Sequence, residues 1–120
     1  MTIAPPVRLG AAVLYFIFIS VMFCLPGSVL PQEDWLSKIY FDKWVHIGFF
    51  IALLVLWLWA LMPERKVALW LLVAAVVYGI TVEVVQDKFI PNRSFDLTDW
   101  AADITGSFIG LWIWSRYIKK

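Results

Sequence analysis

The chain has 120 residues, 62% of them hydrophobic and 16% charged, with eight Trp and a formal net charge of +1. This composition lies far outside the soluble range and reads as an integral membrane protein with room for one small helical bundle, which excludes a soluble catalytic domain or an extramembrane receptor. Ten Lys and Arg, dispersed among nine Asp and Glu, make no basic field, so nucleic acid is excluded as a partner.

In chain order, Leu9 to Leu25 is an apolar run bounded by Arg8 and by Pro26-Gly27, long enough for a first membrane helix. Bulky residues at Val21-Met22-Phe23 are wrong for signal cleavage, so the segment is expected to be a retained anchor. Cys24 is the single cysteine and reads as a small apolar helix residue. In Pro31 to Phe41, the residues Trp35, Leu36, Ile39 and Tyr40 recur at helical spacing opposite Asp34, Ser37 and Lys38, which predicts a short helix lying in the interface.

Trp44 to Met62 and Val67 to Val85 form an antiparallel pair of spans joined by Pro63-Glu64-Arg65-Lys66. The last run, interrupted by Asp103, continues to Tyr117. The expected fold is therefore an all-α membrane protein. Four transmembrane helices, at about 9–25, 44–62, 67–85 and 97–117, form one small bundle over residues 1–120, with an interfacial segment after the first helix. Trp35, Trp44 and Trp100 fit one aromatic belt, and Trp57, Trp59, Trp70, Trp112 and Trp114 the other.

Orientation follows from the basic flanks. Arg8, Arg65, Lys66, Arg116, Lys119 and Lys120 lie on one side and Lys38, Lys43, Lys88 and Arg93 on the other, so both termini are expected in the cytoplasm.

The chemistry-bearing helix ends all fall on the opposite side. Asp42, Lys43 and His46 open the second helix, Glu83 and Gln86 close the third, and Arg93, Asp96, Asp99 and Asp103 lead into the fourth. At about 100° per residue, Asp42 and His46 share a face, as do Gly79, Glu83 and Gln86. Asp96, Asp99 and Asp103 fall in one stripe with Gly106 and Gly110, a small-residue pair that admits a neighbouring helix. Simpler roles exist for several of these residues: N-capping for Asp42 and Asp96, snorkelling for Arg93, and packing for His46. Glu83 and Asp103 resist them. A charge in hydrocarbon costs about 2.5 to 3.5 kcal/mol on insertion scales, so both point to an interior site; their structural alternative is pairing with Arg93 or Lys43.

The order Asp42-Lys43-Trp44-Val45-His46, Gly79 with Glu83 and Gln86, and Arg93-Ser94-Phe95-Asp96-Leu97-Thr98-Asp99 with Gly106 resembles the VanZ-like family of small bacterial membrane proteins. The resemblance spans about residues 10 to 115. It implies a multi-pass plasma-membrane protein of the cell envelope and an effect on susceptibility to the lipoglycopeptide teicoplanin. Asp103 departs from the pattern, which has Asn among the small residues of the last helix.

The function expected is non-enzymatic binding of a lipid headgroup or amphiphile, such as a cell-wall precursor lipid or a lipoglycopeptide. The ligand-binding set is Asp42, Lys43, His46, Glu83, Gln86, Arg93, Asp96, Asp99 and Asp103. Arg93 and Lys43 would take phosphate, and Gln86, Asp96 and Asp99 sugar or peptide groups. The alternative is an intramembrane hydrolase or transferase on a lipid phosphate, with His46, Glu83 and Asp103 as catalytic candidates and His46, Glu83, Asp99 and Asp103 as metal candidates. A proton relay through the same acids is a third reading. No cofactor is expected, a divalent metal belonging only to the enzymatic reading. Membrane lipids are the expected partners, and a homo-oligomer is compatible with the sequence.

Overall fold

The computed structural model describes residues 3–26 and 41–119. Its elements are α1 (Pro5–Phe23), α2 (Phe41–Leu61), α3 (Arg65–Phe89) and α4 (Leu97–Ile113), followed by a π-helical turn (Trp114–Ile118). No strand occurs among the described residues. The expected interfacial helix at 31–41 lies outside them, apart from Phe41, which opens α2.

Helix ends and apolar runs do not coincide. Pro5 and Pro6 begin α1 four residues before the apolar run, where a missing N–H costs nothing and the fixed φ suits a first turn. That helix stops at Phe23, not at Leu25. At the other extreme, α3 continues past Val85 to Phe89, with Lys88 in its last turn complementing the helix dipole. Asn92, at φ 60°, then reverses the chain, a backbone region Asn tolerates better than most residues. Asp96 caps α4, its side chain accepting from the Thr98 N–H at 3.0 Å. Asp42 is the second residue of α2 and sits within its first turn, so the expected capping position is displaced.

α1, α2 and α3, with 19, 21 and 25 residues, are long and apolar enough to cross a membrane. α4 has 17 residues, about 25 Å at 1.5 Å per residue, and falls short of a hydrocarbon core of about 30 Å without the π turn that follows it. The expectation of spans is met for three helices.

Burial is inverted relative to a water-soluble protein. Leu14, Phe18, Trp70 and Phe108 are exposed, whereas His46, Glu83, Gln86, Asp99, Asp103 and Ser107 are buried. An apolar core of Ile19, Phe23, Phe50, Leu54, Leu58 and Trp114 fills the rest of the interior. Trp114, assigned from sequence to an aromatic belt, is 2% exposed and belongs to this core.

α4 packs most extensively on α2, and glycine makes the approach close. A Cβ at Gly110 would stand 2.8 Å from the Ile51 carbonyl oxygen, and one at Gly106 would strike the carbonyl of Ile47. α3 approaches from the other side at Gly79, where a Cβ would lie 2.9 Å from Asp103 Oδ2. α1 is tied on by the Tyr15 hydroxyl, which donates to the Phe49 carbonyl at 2.9 Å, and by a Ser20–Tyr78 hydroxyl pair at 2.7 Å.

Candidate functional site

One end of the bundle gathers the C-terminal ends of α1 and α3 and the N-terminal ends of α2 and α4. The polar residues there form two tiers. In the outer tier, Lys43 Nζ donates to three carboxylates: Asp42 at 2.6 Å, Asp96 at 2.9 Å and Asp99 at 2.7 Å. These bonds join the first turn of α2 to the start of α4. Asp96 also accepts the Thr98 hydroxyl at 2.5 Å. Burial raises the pKa of Asp96, but the bonds from Thr98 and Lys43 outweigh it and hold the carboxyl down at about 2.

The inner tier is buried. His46 Nδ1 and Asp103 Oδ1 are 2.6 Å apart, while His46 Nε2 lies 3.6 Å from Asp99 Oδ2. The Phe23 ring covers the imidazole, with centroids 5.1 Å apart. Glu83 Oε1 accepts the Asp96 N–H at 3.1 Å, so α3 also holds the backbone at the start of α4. The second oxygen of each deep acid, Glu83 Oε2 and Asp103 Oδ2, is buried without a hydrogen-bond partner among the described residues. Leaving such an oxygen unmatched costs about 1–3 kcal/mol or more for a charged group.

Two further residues fasten the rim. Gln86 Nε2 donates to the Phe23 carbonyl at 2.9 Å and Arg93 Nε to the Leu25 carbonyl at 3.0 Å. Phe23 is the last residue of α1 and Leu25 follows it by two, so both carbonyls lie where intrahelical partners run out. Partial burial lowers the pKa of Arg93 from its ordinary value.

All nine residues singled out from the sequence stand at this end. Neither deep acid pairs as the structural alternative required: Asp103 takes His46, Glu83 takes a backbone N–H, and Lys43 serves the three outer acids. Sequence reasoning missed Asp87, which accepts the Phe95 N–H at 3.2 Å and steadies the α3–α4 connection, and the buried Ser107, which donates to the Asp103 carbonyl at 2.8 Å. Asp87 carried a signal in its short spacing from the turn at Asn92. The Phe23 and Leu25 carbonyls carried none, because every residue has one.

Chemically, five carboxylates face Lys43, Arg93 and one imidazole. The end is rich in acceptors and favours cations and hydrogen-bond donors over free anions.

No curated protein and no solved structure gives a match to the chain. A family model described as VanZ/LLP1 matches residues 9–119, which include α2, α3, α4, all of α1 after Arg8, and every residue of the polar end. The chain belongs to the VanZ/LLP1 family.

Proposed function

We propose that this is a multi-pass protein of the bacterial plasma membrane that holds the headgroup of an amphiphile in its polar end and thereby alters glycopeptide susceptibility. Both termini lie in the cytoplasm, α4 with its π turn forms the fourth span, and the polar end opens at the outer face. The observation that carries this reading is the inverted burial at that end. An interior of Asp, Glu, His, Gln and Ser inside an apolar shell is expensive in a membrane unless it serves a ligand.

The chemistry of the cluster narrows the headgroup. Lys43 is already shared by three carboxylates, which leaves phosphate recognition to Arg93. Sugar hydroxyls, peptide amides and amino groups are the better-matched donors for the surrounding acceptors. A cell-wall precursor lipid and a lipoglycopeptide both carry such groups on an apolar anchor. Between α1, α2 and α3 lies an apolar cavity of about 230 Å³ lined by Phe16, Leu53, Trp57, Leu71 and Tyr78, suited to part of an acyl chain.

Expression in a teicoplanin-susceptible bacterium tests the proposal. Teicoplanin tolerance should rise with the wild-type protein and be lost with Lys43→Ala and Asp99→Asn at equal membrane abundance. Undiminished tolerance in both variants would sink the reading.

A further inference from the structure

His46, Glu83 and Asp103 come from three different helices, and each offers a ligand atom within 4.8 Å of the others. All three are buried: His46 is 4% exposed and the two acids 0%. The acids are satisfied on one oxygen only. Glu83 Oε1 accepts the Asp96 N–H and Asp103 Oδ1 faces His46 Nδ1, whereas Glu83 Oε2 and Asp103 Oδ2 have no partner among the described residues.

The nearby cations do not compensate this deep pair. Lys43 is bonded to Asp42, Asp96 and Asp99, and the Arg93 Nε is directed to the Leu25 carbonyl. Buried acids that take no Lys or Arg among the described residues call for a metal ion or a proton. One imidazole nitrogen and two carboxylate oxygens suit a borderline divalent ion better than magnesium or calcium, which take oxygen alone. Ligand bonds of about 2.0–2.2 Å would require side-chain rotations that re-space the three groups, whose ligand atoms already lie within 4.8 Å of one another. Gly79 keeps the wall beside Asp103 free of a side chain, since a Cβ there would crowd Oδ2 at 2.9 Å.

We propose that His46, Glu83 and Asp103 form a buried binding site for a zinc-class divalent ion beneath the outer Lys43 cluster. Three protein ligands leave a coordination position for water or for a group of a bound molecule. The ion would also neutralise the two deep acids and tie α2, α3 and α4 together at one point.

Full-length protein in nanodiscs, stripped with a chelator and equilibrated with zinc alone, provides the test. Elemental analysis should find one zinc per chain, and cobalt should give a visible absorption band that zinc abolishes. Glu83→Gln and Asp103→Asn should each weaken zinc binding by about tenfold or more, at least what loss of an outer-shell partner costs. Asp42→Asn, which alters only the outer acids, should bind as wild type. Wild-type protein that retains no zinc and gives no cobalt band would overturn the site, whatever the folding of the variants. So would wild-type affinity in both ligand variants, or loss confined to Asp42→Asn, which would move the ion to the outer acids. No cell-wall precursor lipid or antibiotic is present in this assay, so its failure and that of the headgroup reading are distinguishable.

Discussion

Asp96 shows how one side chain can serve a helix end and a polar cluster together. Its Oδ1 caps α4 through Thr98 while its Oδ2 takes Lys43 from α2, so a helix start and a helix–helix contact share one carboxylate. Asp96→Ala should cost about 1 kcal/mol from the cap, since exposed ion pairs add little. Thermal unfolding in detergent would measure it, and a loss near zero would deny the cap its role. The pH dependence follows from a folded-state pKa of about 2 against an ordinary 3.8. The ionised form is favoured on folding, so this contribution is complete above pH of about 4 and disappears as the pH falls through about 2. Wild-type protein should lose stability over that window more steeply than Asp96→Ala.

At the scale of the helices, glycine spacing determines whether the acids can face inward. Gly106 and Gly110 let the α4 backbone rest on α2, which sets Asp99 and Asp103 over Lys43 and His46. Gly106→Val should separate the two helices and destabilise the bundle by several kcal/mol, as overpacking and backbone clash combine. Gly48 has open space where a Cβ would stand, so Gly48→Ala should be neutral or stabilise by about 0.5–1 kcal/mol through helix propensity. Equal effects at the two positions, read as detergent melting temperatures, would contradict this packing. Much of this arrangement was legible beforehand. The small-residue pair marked the contact face of α4, and the 3.6-residue period put Asp99 and Asp103 on it. Helix ends were less legible: hydropathy stops at Val85, yet α3 continues through Gln86 and Asp87 because hydrogen bonding and propensity, not apolarity, sustain a helix. Partner choice was not legible at all. Periodicity gives a residue its face but not the rotation at which two helices meet, and so could not distinguish His46 from Arg93 as the companion of Asp103.

For the whole molecule, the decisive property is a bundle that, among the described residues, is apolar outside and polar within at one end. Three helices have the length to cross a membrane, and their order brings both loop-bearing ends of the site to the same side. The outer tier is partly exposed and joined by Lys43, while the inner tier is closed off by Phe23 and the glycine contacts. Such a layout allows a headgroup to meet acceptors at the rim while its apolar part stays in lipid. Equilibrium binding of labelled teicoplanin and of a polyprenyl-linked cell-wall precursor to the protein in nanodiscs tests this claim most directly. Saturable binding of at least one of them, weakened about tenfold or more by Lys43→Ala and Asp99→Asn, is the predicted result. Absence of saturable binding for both, or affinities unchanged by either variant, would contradict it.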